Sequence, residues 1–148
     1  MIAQFLTPLR TETLGPRRWI LTDDLRFYSE QYRGIVVAPR GFQTDLASIP
    51  RLAWVLFPKV GNQDWAAVIH DAGYGNALVT QHGDRIFAVK KVSDDLFLEG
   101  MLAHGVSRFA ARWMYRAVHL FGNPKGHPLA NALPGVAPSH LSIQGAVS

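Results

Sequence analysis

Residues 41–74 constrain this chain more than any other stretch. They read GFQTDLASIPRLAWVLFPKVGNQDWAAVIHDAGY. A polar cluster (Thr44, Asp45, Ser48) is followed by Pro50-Arg51, then an apolar block with Trp54 and Phe57, then His70-Asp71 inside an apolar run. Polar side chains set that tightly among apolar ones need partners, because burying them unpaired costs about 1–3 kcal/mol each. The stretch is therefore either a functional site or a hydrogen-bonded structural knot.

The elements around it follow from periodicity and punctuation. Residues 1–16 read as a leading strand or arm ended by Gly15-Pro16. The spacing predicts a strand over 18–22, a turn at Asp23-Asp24 and a returning strand over 25–28, together a hairpin. Ile35-Val36-Val37 predicts a strand ending at Pro39, and residues 42–44 a short further one. A short helix is expected over 51–57, with Ser48 nearby as a cap. Asn62 is the expected N-cap of a second helix running to about Gly73, with Asp64 favouring its dipole. Residues 78–89 read as two short strands around a turn at 81–84. Ser93 is read as the N-cap of a third helix with Asp94 and Asp95 in its first turn, ending at Gly105. Ser107 caps a fourth that ends at Phe121-Gly122.

The expected fold class is α+β: a small antiparallel sheet from the N-terminal third, packed with three to four helices. Residues 1–122 read as a single globular domain. Residues 123–148 carry Pro124, Pro128, Pro134 and Pro138 and almost no charge. That tail is expected to dock on a partner or on the domain itself.

With 48% hydrophobic and 18% charged residues, the composition excludes a disordered chain. No run approaches the roughly 18 apolar residues of a membrane span. The first residues lack the basic-then-apolar order of a secretory signal. The absence of cysteine removes disulfides and thiolate ligands and fits synthesis in a cytoplasm. A net charge of +4 invites a nucleic-acid partner. The basic residues are scattered, however, except Arg108, Arg112 and Arg116, which fall at i, i+4, i+8 on one helix face. That stripe is a weak nucleic-acid candidate beside its plain reading as a solvated face.

Helical geometry places the candidate chemistry. His70 falls at the edge of an apolar face formed by Trp65, Val68, Ile69 and Ala72, and Asp71 lies about 100° further round. Asp94 shares an apolar face with Phe97 and Met101 and is expected to look inward. Asp95 and Glu99 fall on a more exposed face. His70, Asp45 and Asp94 are the catalytic candidates, with His70 as a general base oriented by either carboxylate. Asp45, His70, Asp71 and Asp94 together form a candidate ligand set of imidazole and carboxylates, suited to a divalent metal such as Zn, Mn or Mg. Ser48 lacks the flanking glycines of a nucleophile elbow. Each of these residues also has a structural use. Asp45 and Ser48 can bond turn amides, and His70 can sit at the core edge with both nitrogens satisfied. Asp71 can pair with Arg51, and Asp94 can serve a helix start.

The blocks TDLASIPR, AAVIHDAGY and DDLFLEGM, followed by YRAVHLFG, resemble an uncharacterised family of phage and prophage proteins, the domain of unknown function DUF1353. The matching positions include Asp45, Ser48, Pro50, Arg51, His70, Asp71, Tyr74, Asp94, Phe97 and Gly122. Gly73 departs from the pattern, which leads us to expect a larger residue there. The resemblance implies a phage or prophage origin and supplies no reaction. The leading expectation is a non-enzymatic virion component (tail or baseplate) or assembly component. It would be made in the host cytoplasm, partnered by other phage structural proteins and incorporated in the virion. The alternative is a metal-dependent or His-based hydrolase acting on the cell envelope or a nucleotide.

Overall fold

A computed structural model describes residues 1–46 and 62–122, the side chains of 62 and 63 excepted. The expected helix over 51–57, its cap Ser48, the residues Pro50, Arg51, Trp54 and Phe57, and the tail from 123 lie outside the described residues. So does the side chain of Asn62.

Within them, seven short strands and three helices make an α+β fold. The strands are β1 (Gln4–Phe5), β2 (Thr11–Gly15), β3 (Arg18–Leu21), β4 (Leu25–Ser29), β5 (Gly34–Ala38), β6 (Gln43–Thr44) and β7 (Val79–Thr80). They form two antiparallel sheets rather than one, in the orders β1-β4-β5-β7 and β2-β3-β6. The helices are α1 (Asn62–Tyr74), α2 (Lys90–Ala103) and α3 (Arg108–Phe121).

The hairpin expected between 18–22 and 25–28 is corrected. Both strands exist, but β3 pairs with β2 and β6, while β4 pairs with β1 and β5. Alternation reveals a strand's buried face, here Leu25, Phe27 and Ser29 of β4, but not its neighbour. The chain does bend, at Thr22-Asp23, and passes there from one sheet to the other. Asp24 Oδ1 accepts from the Arg40 backbone amide at 2.8 Å, and its carbonyl accepts from Thr7 Oγ1 at 2.8 Å. The tight hairpin is instead β2–β3, closed across Pro16 and Arg17, where Arg17 takes φ +55°.

α1 is the centre of the fold. Ala66 through Gly75 are all buried. One side, with Val68, Ile69 and Ala72, packs with Leu25, Phe27 and Val36 of the larger sheet. Ala66 and Ala67 join Phe97 and Met101 of α2 and Ala110 and Met114 of α3. The expectation of a one-sided helix with His70 at its edge is therefore corrected: His70 and Asp71 are both fully buried. A helix covered all round must satisfy its polar side chains internally.

α1 and α2 approach closely at two places that only small residues permit. At one end Ala66 lies against Gly100. At the other, a Cβ added to Gly73 would overlap the Ser93 side chain. The larger residue expected at 73 has no room. Ser93 is not the N-cap of α2 either. The helix starts at Lys90 from an extended Val89, whose carbonyl accepts from the Ser93 amide at 3.1 Å. Ser93 therefore sits inside the first turn, buried. Ser107 does cap α3, its hydroxyl accepting from the Ala110 amide at 3.3 Å.

Candidate functional site

Three carboxylates of α2 tie the elements together. Glu99 serves the β4–β5 turn, accepting from Ser29 Oγ at 2.6 Å and from the amides of Glu30 and Gln31 at 2.7 and 3.1 Å. Asp95 accepts from Tyr32 Oη at 2.9 Å, Tyr115 Oη at 3.1 Å, Lys91 Nζ at 2.5 Å and Gln31 Nε2 at 3.3 Å. The exposed face expected for these two residues is corrected at Asp95, which is buried. Its exclusion from water comes from the β4–β5 turn and α3, elements distant in sequence. Burial alone would raise the Asp95 carboxyl; the bonds from Lys91 and the two tyrosines outweigh it and hold it below the usual range.

Asp94 is the hub. It looks inward, as its apolar face implies, and is completely buried. Its Oδ1 is shared by His70 Nε2 at 2.8 Å and Tyr74 Oη at 2.6 Å, both from α1 and one turn apart. Its Oδ2 meets Lys90 Nζ at 2.8 Å, one turn back on α2, and His119 Nδ1 at 3.2 Å, from α3. Lys90 also donates to the carbonyls of Val118 and His119 at 3.1 and 2.8 Å. A cation at that helix end meets carbonyls of the last turn, of which Val118's also accepts from the Gly122 amide at 2.7 Å. One carboxylate thus joins all three helices.

Burial by itself would push the Asp94 carboxyl up. The hydrogen bonds from His70, Lys90 and Tyr74 outweigh it and hold the group well below the usual carboxylate range. Tyr74 moves the other way: burial, then its bond to the Asp94 charge, raises its phenol, so it stays a donor. With Asp94 ionised, the shared proton belongs on His70 Nε2, and in the neutral imidazole that leaves the lone pair on Nδ1. That Nδ1 is buried and has no hydrogen-bond partner among the described residues. The imidazole itself is clamped, its ring 4.1 Å from that of Tyr74 and 5.0 Å from that of Phe97, centroid to centroid.

The other candidates sort themselves around this cluster. Asp71 accepts a short hydrogen bond from Thr44 Oγ1. Thr44 Oγ1 in turn accepts from the Leu46 amide at 3.1 Å, so the end of β6 is anchored to α1. Asp45 follows at once, half-buried. These bonds make two pairs, His70 with Asp94 and Asp71 with Thr44, and neither includes Asp45. Among the described residues no group of three or more His, Asp or Glu side chains could hold a metal ion. At Asp94 the physical obstacle is the Lys90 ammonium, which already occupies Oδ2. Among the described residues the four-residue ligand set does not fit a metal. Ser48 and Arg51 lie outside the described residues. Arg108, Arg112 and Arg116 are exposed on α3.

Lys90 and His119 escaped the sequence reading. Lys90 stands at i−4 from Asp94, a legible helical ion pair. His119 carries no local signal, because its contact exists only once α3 packs.

Residues 19–118, about two thirds of the chain, match a family described as a protein of unknown function (DUF1353). The chain belongs to the DUF1353 family. No curated protein and no solved structure matches it. The DUF1353 match contains His70, Tyr74, Lys90 and Asp94 and ends at Val118, whose carbonyl Lys90 holds. In this DUF1353 chain no described helix is long and apolar enough to cross a membrane.

Proposed function

We propose that this is a phage- or prophage-encoded hydrolase in which His70, oriented by Asp94, activates water. One observation carries the reading: a fully buried imidazole bonds an ionised carboxylate through Nε2 while Nδ1 has no partner among the described residues. The large majority of buried side-chain nitrogens are hydrogen-bonded, so the one on His70 calls for an explanation. An imidazole with one nitrogen on a carboxylate and a lone pair on the other has the arrangement of a general base.

The chemistry follows from the chain's own groups. A water hydrogen-bonded to Nδ1 gives up its proton as its oxygen attacks an ester carbonyl. Asp94 stabilises the imidazolium that forms without taking the proton itself, and Tyr74 holds the carboxylate in place. The acyl–oxygen bond then breaks, and the leaving alkoxide takes the proton from Nδ1.

The test is hydrolysis of a panel of soluble chromogenic carboxylic and phosphoric esters by the full chain. The wild type is expected to turn over at least one class. His70→Asn and Asp94→Asn are expected to lose about 10²–10⁴ in rate, with circular dichroism reporting whether each is folded. A folded wild type inert to every class, or a His70→Asn variant with wild-type rates, overturns the reading.

The second reading, a non-enzymatic virion or assembly component, is supported by a different observation. Asp94 has four donors and bonds three helices, which is the form of a structural clamp.

A further inference from the structure

Strand β2 leaves one edge open. In its sheet β3 lies between β2 and β6, so β2 has β3 on one side and no strand on the other among the described residues. Thr11, Glu12, Thr13 and Leu14 are all exposed. Successive side chains of a strand point to opposite faces, so β2 is uncovered on both. An edge of this kind presents backbone amides and carbonyls that can template a further strand.

The ladder fixes which backbone groups point outward. Thr11 stands opposite Leu21, and Thr13 opposite Trp19. The Thr22 amide donates to the Arg10 carbonyl at 3.0 Å, so Arg10 and Thr22 form a hydrogen-bonded pair. Bonded and unbonded pairs alternate in an antiparallel ladder, so Thr11–Leu21 and Thr13–Trp19 are unbonded. Leu21 agrees: its amide donates to the Phe42 carbonyl at 2.9 Å and its carbonyl accepts from the Gly41 amide at 2.8 Å, both on the β6 side. The amides and carbonyls of Thr11 and Thr13 therefore face the open edge.

Charge selects what pairs there. Arg10 and Glu12 flank Thr11, both exposed and neither with an ion-pair partner among the described residues. Read backward, the run Arg10-Thr11-Glu12 is complementary to itself. In a second, antiparallel copy with Thr11 facing Thr11, Arg10 of each chain stands opposite Glu12 of the other. Moving the centre by one residue sets Arg10 against Arg10 or Glu12 against Glu12, and centring on Thr13 leaves Glu12 opposite Leu14. Opposite charges directly across a strand pair stabilise it and like charges destabilise it.

We propose that β2 pairs with β2 of a second copy of this chain, antiparallel about a two-fold axis at Thr11. The two three-stranded sheets then become one continuous sheet. A contact of one strand pair lies at the small end of interface sizes, so the dimer forms reversibly and at high protein concentration. It stands apart from the reading at His70.

The experiment is sedimentation velocity of the full chain from micromolar to millimolar concentration, with amide hydrogen exchange measured at both ends of that range. A monomer–dimer equilibrium is expected, with the Thr11 and Thr13 amides protected only in the dimer. Glu12→Arg sets like charges across the axis and is expected to weaken association about tenfold or more. Adding Arg10→Glu restores opposite charges in reversed order and is expected to recover it. Thr11→Pro removes an outward amide with no bond inside the chain and is expected to abolish the dimer. Circular dichroism reports whether each variant is folded, and the exposed charge reversals decide the matter if the proline variant is not. A chain that stays monomeric throughout overturns the proposal and leaves the edge to a strand of another protein. A dimer with unprotected Thr11 and Thr13 amides, a dimer unchanged by Glu12→Arg, or a double reversal that fails to recover also overturns it.

Discussion

Replacing Asp94 by alanine is expected to cost about 3–5 kcal/mol of folding stability, the range seen when one partner of a buried ion pair is removed. The carboxylate is completely buried and answers Lys90, His70, Tyr74 and His119 at once. Alanine would leave the His70 and Tyr74 donors without an acceptor and unfasten α3 from the start of α2. Asp94→Asn keeps an acceptor and is expected to cost less. The effect has a signature in pH. The folded carboxyl lies below its ordinary value of about 3.9, so its contribution is fully present above that value. It is lost as pH falls through the depressed folded value. Denaturant melts should therefore show the wild type far above Asp94→Ala at neutral pH, with the gap shrinking only below about pH 4. A gap constant across that window would mean that the charge of Asp94 does not matter and only its volume does.

The second large effect is expected at Gly73. A methyl group there would overlap Ser93, whose side chain is itself buried in the first turn of α2. Overpacking of this kind costs about 1–3 kcal/mol, and Gly73→Leu is expected at or above the upper end. The cause is a single contact, so it is reversible from the other side. Ser93→Gly should recover much of the loss in Gly73→Ala, although each change alone destabilises. Coupling measured by a double-mutant cycle on thermal or urea unfolding checks this. Strict additivity would show that the helices do not meet there.

What the sequence disclosed follows physical locality. Strand β4 was legible because alternate residues Leu25, Phe27 and Ser29 are buried. α3 was legible because Ser107 and Gly122 mark its ends. His70 and Asp94 stood out as polar residues on apolar faces. The two-sheet arrangement was not legible, because β3 and β4 pair with strands distant in sequence, β6 and β1, as well as with their neighbours β2 and β5. The true start of α2 was hidden because Val89, an apolar residue without a capping side chain, precedes it, while Ser93 offered a better local signal. Asp95 looked exposed because its cover, Tyr32 and Tyr115, comes from the β4–β5 turn and α3. Gly73 looked like a departure because its reason is Ser93, twenty residues on.

The measurement that bears most directly on the central claim is the tautomer of His70, read from nitrogen-15 shifts of ring-labelled protein at mildly alkaline pH. It needs no substrate. The expected result is an imidazole protonated on Nε2, with an unprotonated Nδ1, shifting in Asp94→Asn. A proton on Nδ1 would contradict the account, because the nitrogen assigned to water activation would then be a donor.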